Sequence, residues 1–363
     1  MPPSTGRLAL LVTGATGLLG ARVAELLLAD PRVARLFLVA RDPARLRLLQ
    51  ATFGGERAVA VAGDVTRDGL GIEPELRARL TREVTGVVHL AASTSFSQSL
   101  DVARAVNADG TRRLLDLGAA WARAGRWVQV STAFVAGQRT GLVRESDVPT
   151  GPGWVNAYEQ SKAEAELLVR TARRDWVIVR PSTVVCDDAS GRVTQVNAVH
   201  RALRLYFGGL AALLPGADDS TLDVVTTEYV AGGVARLALA PDVEGRAFHL
   251  CAGAGAMPLD ELLDATHAAF AAAPAWRRKG IVRPARADLD TYRRFERAVE
   301  DVGSERVRRA VRSLSHFVPQ LALPKRFDTS NADAALGAAA PAVREFWPAM
   351  VATLTGAAAR EAA

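Results

Sequence analysis

Short apolar runs alternate, along the first half of the chain, with segments whose apolar residues recur every three or four positions. Continuous apolar runs predict strands buried on both faces of a parallel sheet, and the longer spacing predicts helices packed against it. The predicted strands are 8–12, 35–40, 58–62, 86–90, 127–131 and 175–179. This alternation predicts an α/β fold of the Rossmann type, with a doubly wound parallel sheet.

A glycine-rich turn, TGATGLLG, joins the first predicted strand to a helix that ends before Asp30-Pro31. Glycine permits a tight turn, a close approach to a pyrophosphate and close packing of helix on strand, and the helix N-terminus offers unpaired amides to phosphates. The alternative is a glycine turn without a ligand. We predict a dinucleotide site that includes Gly14, Ala15, Thr16, Gly17, Leu18, Leu19 and Gly20.

The residues that follow the other strands indicate which dinucleotide binds. An acidic residue after the second strand would favour NAD, whereas arginine accommodates the 2′-phosphate of NADP. Arg41 and Arg45 lie there, so we predict NADPH; Asp42 leaves NAD as the less favoured cofactor. Asp64 is placed to accept a hydrogen bond from the adenine amino group. Further cofactor contacts are predicted at Val65, Ala91 and Pro181.

Tyr158 and Lys162 lie four residues apart on a predicted helix and therefore share one face. With four Tyr and three Lys in 363 residues, about 0.03 such pairs are expected by chance. An ammonium about 4 Å from a phenol is worth about 4 kcal/mol, which would lower the phenol pKa by roughly three units and favour general acid catalysis. Lys162 could also bind the nicotinamide ribose. Thr132, at the end of the fifth strand, is the predicted hydroxyl partner, with Ser131 as the competing candidate.

Composition narrows the class of protein. The net charge of +6 resides in segment 277–312, which holds twelve Arg and Lys against six Asp and Glu, so a nucleic-acid partner is not expected. That basic segment is either a solvated helical face or a surface for a phosphorylated or acidic partner. No segment approaches the roughly 18 apolar residues of a membrane-spanning helix, and MPPSTGR lacks the apolar region of a secretory signal. Two cysteines suggest a cytoplasmic protein without disulfides or a metal site.

Seven motifs together resemble the extended branch of the short-chain dehydrogenases/reductases: TGATGLLG, GDVT, HLAAST, VNADGT, VSTAFVAG, YEQSK and RPS. Within that branch, the STAFV and RPS segments resemble fatty acyl-CoA reductases and thioester-reductase domains. The resemblance implies a Thr-Tyr-Lys catalytic set at Thr132, Tyr158 and Lys162. It also implies NADPH-dependent reduction of an acyl group on coenzyme A or a carrier protein, giving an aldehyde or an alcohol. The alternative is reduction or oxidation of a free ketone, aldehyde or alcohol.

The remainder of the chain is expected to form a smaller, mostly helical substrate lobe. We place the NADP-binding domain at 7–181, with strand 246–252 returning to its sheet, and the substrate lobe at 182–363. The apolar run 197–216 could line an acyl-chain tunnel or belong to the core. A homodimer through two long helices is a common arrangement. Acyl chain length and the number of hydrides transferred stay open.

Overall fold

The structure, a computed structural model, describes residues 7–121 and 125–361. The prediction about a secretory signal concerns residues 1–7, of which 1–6 lie outside the described residues.

The strands follow the predicted order through the first half of the chain. They are β1 Leu8–Thr13, β2 Val33–Ala40, β3 Ala58–Ala62, β4 Gly86–His89, β5 Trp127–Val130, β6 Gly141–Val143, β7 Trp176–Pro181, β8 Thr183–Cys186, β9 Leu213–Pro215, β10 Thr221–Leu222, β11 Val224–Thr226, β12 Arg246–Leu250, β13 Met257–Pro258, β14 Ala285–Ala287 and β15 Lys325–Phe327.

The helices connect these strands and form most of the C-terminal part. They are α1 Leu18–Ala29, α2 Pro43–Phe53, α3 Pro74–Glu83, α4 Leu100–Gly118, α5 Ala157–Ala172, α6 Ala198–Phe207, α7 Thr227–Leu239, α8 Leu259–Ala271, α9 Pro274–Arg277, α10 Leu289–Val302, α11 Glu305–Leu314, α12 Ser330–Leu336 and α13 Val343–Glu361.

Seven parallel strands form the central sheet, in the order β12-β7-β5-β4-β1-β2-β3. Helices α1 and α7 pack on one face, and helices α4 and α5 pack on the other. The order reverses beside β1, which opens a crevice at the carboxyl ends of the strands where ligands bind in such sheets. The α/β doubly wound fold is therefore confirmed.

The last strand of the sheet comes from far along the chain. Strand β12 pairs in parallel with β7, with Arg246 opposite Val177 and Leu250 opposite Pro181. The predicted return of this segment to the large sheet is therefore correct. The domain boundary near Pro181 stays a prediction.

Helix α4 corrects one detail of the predicted core. The spacing of its apolar residues predicts a helix from about 101 to 123 that buries Val102, Val106, Leu114 and Leu117, but Val102 is 55% exposed. The buried stripe runs through Ala103 and Leu114, and Val102 lies one residue before its start. The helix ends at Gly118, and residues 122 and 123 of the predicted helix lie outside the described residues.

The apolar run 197–216 is shorter as a helix than its composition suggests. Helix α6 ends at Phe207 because two glycines follow, and Gly209 adopts a left-handed backbone conformation with φ of 73°. Leu203, Tyr206 and Leu214 are buried in the hydrophobic core. The core interpretation therefore fits these three side chains.

Candidate active site

The glycine turn between β1 and α1 has no room for a side chain at Gly14 or Gly20. A Cβ atom at Gly14, whose φ is 76°, would lie 2.7 Å from the Ala91 amide nitrogen, and one at Gly20 would lie 2.1 Å from the Gly14 carbonyl oxygen. Gly17 is the N-cap of α1, and no side chain caps that helix end. Bare backbone beside an uncapped helix N-terminus fits the pyrophosphate of a dinucleotide.

A single cleft of about 950 Å³ extends from this turn across the carboxyl ends of the sheet strands. Fourteen of the sixteen predicted site residues line it: Gly14, Thr16, Gly17, Leu18, Leu19, Gly20, Arg41, Asp64, Val65, Ala91, Thr132, Tyr158, Lys162 and Pro181. Ala15 is fully buried and Arg45 is exposed, and neither lines the cleft. The two ends of the predicted site therefore share one cavity.

The two acidic residues near Arg41 are engaged differently. Asp42 caps helix α2, because its Oδ1 atom accepts hydrogen bonds from the Ala44 and Arg45 amides at 2.7 and 3.2 Å. Asp64 accepts from the Thr66 amide and hydroxyl at 2.9 and 2.8 Å. Burial raises the pKa of Asp64, but these hydrogen bonds and the charge of Arg41 outweigh it and lower the pKa below its ordinary value. Arg41 therefore faces the cleft while Asp42 is committed to a helix cap.

Lys162 of helix α5 and Thr132, just after strand β5, lie at the carboxyl end of that strand. Asn156 starts that helix by accepting a hydrogen bond from the Glu159 amide at 3.0 Å. Lys162, 2% exposed, donates from Nζ to the Val130 carbonyl at 2.7 Å. Thr132 Oγ1 accepts from the Phe134 amide at 3.3 Å and lies 3.5 Å from the Pro181 carbonyl, to which it donates. Helix α5 is thereby fixed against the end of β5.

The pKa of Tyr158 differs from the sequence prediction. Burial raises it to about 12, a hydrogen bond with Thr132 opposes the rise, and the charge of Glu159 adds to it. The expectation that this pKa is lowered is wrong for the structure, because burial is the largest influence on it. The Lys162 ammonium donates to the Val130 carbonyl. Burial lowers the pKa of Lys162 to about 8, against the opposing charge of Glu166. Tyr158 is accordingly a protonated hydrogen-bond donor at neutral pH.

Some residues of the site were not predicted. Asn107 Nδ2 donates to the Ser161 hydroxyl at 2.9 Å and to the Ser93 carbonyl at 3.0 Å, and its Oδ1 accepts from the Ser93 amide at 2.8 Å. This side chain therefore holds the loop after β4 against helix α5. The VNADGT motif drew attention to Asn107 but gave it no role.

Phe96 and Phe317 also line the cleft and were missed, since they are more than two hundred residues apart and neither belongs to a catalytic motif. Ser131, the competing candidate for Thr132, lines the cleft as well. Its hydroxyl is buried and has no hydrogen-bond partner among the described residues. Ser131 Oγ is therefore available to a ligand.

The part of the chain that the structure describes contains no group of three His, Cys, Asp or Glu side chains arranged to hold a metal ion. Within residues 7–121 and 125–361, no helix is both long and apolar enough to cross a membrane.

A family model described as male sterility protein matches residues 12–234. Fatty acyl-CoA reductase 8 of Arabidopsis thaliana is 33% identical over 162 residues, covering 38% of this chain and 33% of that protein. Hybrid PKS-NRPS synthetase mpsA of Macrophomina phaseolina (strain MS6) is 30% identical over 250 residues, covering 65% of this chain and 6% of the synthetase. The chain thus spans about a third of the plant relative and a small part of the synthetase.

A solved structure has a similar fold over nearly the whole chain. The terminal R domain from the myxalamid PKS-NRPS biosynthetic pathway superposes with a TM-score of 0.78 at 24% identity, covering 99% of this chain and 92% of that one. The C-terminal part of the chain therefore shares its fold with that domain as well.

Proposed function

The chain belongs to the male sterility protein family, a part of the extended short-chain dehydrogenases/reductases, and on this premise we propose that it is an NADPH-dependent reductase of acyl thioesters. The observation that carries the proposal is the single cleft that joins the glycine turn to Thr132, Tyr158 and Lys162. One end of this cleft suits a dinucleotide, and the other suits a carbonyl group that is reduced.

The residues of the glycine turn would hold the pyrophosphate, and Lys162 would bind the nicotinamide ribose. When bound, the cofactor supplies a hydride for the carbonyl carbon. Arg41 favours NADPH over NADH, because a guanidinium makes charge-assisted hydrogen bonds to a 2′-phosphate. Asp42 does not compete for a ribose hydroxyl, since its carboxylate caps α2. Asp64 stays ionised and can accept from an adenine amino group.

Tyr158 would donate the proton from its hydroxyl to the substrate oxygen. A phenol whose pKa is raised stays protonated at neutral pH and can still donate to a more basic alkoxide. Thr132, which lines the cleft with Tyr158 and whose side chain influences the Tyr158 pKa, would hold the same oxygen. With a thioester, hydride addition and this proton give a hemithioacetal, which loses the thiol to form an aldehyde. A second reduction would give an alcohol.

The preference for a thioester over a free carbonyl is supported by the names of the relatives, which are fatty acyl-CoA reductases and PKS-NRPS synthetases. The basic helices α10 and α11 add a physical argument. Arg293, Arg294, Arg297 and Arg309 are exposed, and the end of α11 reaches the cleft at Ser313. This face suits the phosphates of coenzyme A or an acidic carrier protein. Reversing three of these arginines should raise the KM for a carrier-bound substrate.

NADPH consumption with acyl-CoA thioesters, free aldehydes and ketones, run beside a Tyr158→Phe variant, tests the proposal. Thioester-dependent turnover that the variant loses supports a thioester reductase. Turnover with free carbonyls alone contradicts it and indicates a ketone or aldehyde reductase. The predicted homodimer is measured by light scattering on the same preparation.

A further inference from the structure

Two phenylalanine rings continue the catalytic end of the cleft beyond Tyr158. The centroid of the Phe96 ring lies 5.4 Å from that of Tyr158, and the Phe317 ring lies 6.4 Å from Phe96 with the planes only 4° apart. Phe317 is 7% exposed, and both phenylalanines line the cleft. The three rings form an apolar wall beside the proton donor, which we call the aromatic wall.

The chain segment that carries Phe317 is tied to the catalytic helix by a buried polar relay. Glu159 follows Tyr158 in α5, and its Oε1 atom accepts from Gln320 Nε2 at 2.7 Å. Gln320 Oε1 in turn accepts from Lys325 Nζ at 2.9 Å. Glu159 is 1% exposed and Lys325 is 7% exposed. The amide of Gln320 therefore bridges two opposite buried charges.

Two further contacts fix this segment in place. Asn156 Nδ2 donates to the carbonyl of His316, the residue before Phe317, at 3.3 Å. Lys325 starts β15, which pairs in parallel with β6 at Gly141. The segment that carries Phe317 is thus held at two points. Asn156, the N-cap of α5, bonds the residue before Phe317, and β15, which follows Phe317, pairs with β6.

The relay depends on the chemistry of an amide. Burial raises the pKa of Glu159 to about 7 and lowers the pKa of Lys325 to about 8, and each charge opposes the shift of the other. Only a side chain with both an acceptor and a donor satisfies the two groups. A glutamate at 320 would face Glu159 with a like charge. A methionine would remove one hydrogen-bond partner from each group, which leaves Glu159 with Val155 and Asn156 and leaves Lys325 with the Leu323 carbonyl.

We propose that Phe317 is a specificity-determining residue, which packs against the acyl carbons beyond the one next to the reacting carbonyl, and that Gln320 and Lys325 are positioning residues that hold it there. The inference rests on the proposed thioester reduction and names the part of the substrate that the aromatic wall receives: an apolar acyl chain. Acetyl groups, which end one carbon beyond the carbonyl, should gain little from this wall.

The experiment compares kcat/KM for acetyl-CoA and hexanoyl-CoA in the full chain and in Phe317→Ala. Loss of an aromatic contact should reduce kcat/KM for hexanoyl-CoA roughly 3- to 10-fold and leave acetyl-CoA within twofold. Phe317→Leu, which keeps an apolar side chain, should fall between the two. Phe295→Ala, on α10 and outside the cleft lining, is the control that should leave the ratio unchanged.

The positioning role is tested on the relay. Gln320→Met and Lys325→Met should each raise KM for hexanoyl-CoA roughly 3- to 10-fold, while kcat and the NADPH dissociation constant stay unchanged. Lys325→Arg, which keeps the positive charge, should have a KM close to that of the wild type. Equal losses for both thioesters, or a fall in NADPH affinity, would mean a merely structural segment and would overturn the inference. Absence of wild-type turnover with every thioester would instead overturn the proposed function.

Discussion

The cofactor side and the substrate side of the cleft are built in different ways. The cofactor side depends on the backbone of one contiguous turn, 13–20, where Gly14 and Gly20 leave no space for a Cβ atom. The substrate side depends on side chains from distant segments, such as Phe96, Tyr158 and Phe317. Backbone sites are recognisable from a short motif, whereas side-chain walls exist only after folding.

Tyr158→Phe should produce the largest loss, because it removes the proton donor and nothing from the cofactor side. General acid catalysis contributes typically 10²- to 10⁴-fold, so kcat should fall by about that factor while NADPH affinity is unchanged. Steady-state kinetics and cofactor titration measure both. Tyr206→Phe removes a phenol that bonds His267 at 2.6 Å outside the cleft lining and should leave kcat within about twofold. Equal losses of kcat in Tyr158→Phe and Tyr206→Phe would contradict a specific role for Tyr158.

Lys162 lies where the two sides meet, and its burial predicts a pH-dependent stability. Its pKa falls from the ordinary 10.5 to about 8 on folding, so between these values the unfolded chain binds more protons than the folded one. The free energy of unfolding should therefore rise with pH, by about 3 kcal/mol across that window. Below pH 8 Lys162 is protonated in both the folded and the unfolded chain, so it adds no pH dependence to the free energy of unfolding.

Denaturant titrations of wild type and Lys162→Met from pH 7 to 10.5 measure this effect. The free energy of unfolding of the wild type minus that of the variant should rise with pH. Lys279→Met changes an exposed lysine and should show a constant difference from wild type. If the free-energy difference between wild type and Lys162→Met stayed constant over this pH range, folding would not lower the pKa of Lys162.

The contrast also explains how much the sequence could predict. The parallel sheet and the glycine turn followed from apolar runs and a short motif, since those patterns depend on local geometry. The pKa of Tyr158 could not be predicted, because a spacing of four residues does not reveal that burial of the phenol dominates its pKa. Nor could the Glu159–Gln320 contact, which joins residues 161 positions apart.

Gly20→Ala tests whether the cofactor side is a matter of backbone fit. The added Cβ would lie 2.1 Å from the Gly14 carbonyl oxygen, which must shift, so we expect a loss of about 2 kcal/mol in stability and weaker NADPH binding. Gly232→Ala, in helix α7, is the matched control because its Cβ would meet nothing within 4 Å. That change should stabilise the protein by about 0.5–1 kcal/mol. Thermal unfolding with and without NADPH distinguishes the two, and similar behaviour would contradict the backbone argument.

Arg41→Ser should have the smallest effect of the four, because it removes one charged contact at the rim of the cofactor side. We expect a roughly tenfold rise in KM for NADPH and little change for NADH, since only NADPH carries the 2′-phosphate. Arg45→Ser should do less, because Arg45 lies outside the cleft lining. Kinetics with both cofactors for both variants measure the difference. If Arg45→Ser matched Arg41→Ser, the phosphate would be held by a charged surface and not by one side chain, and this part of the cofactor side would resemble the substrate side.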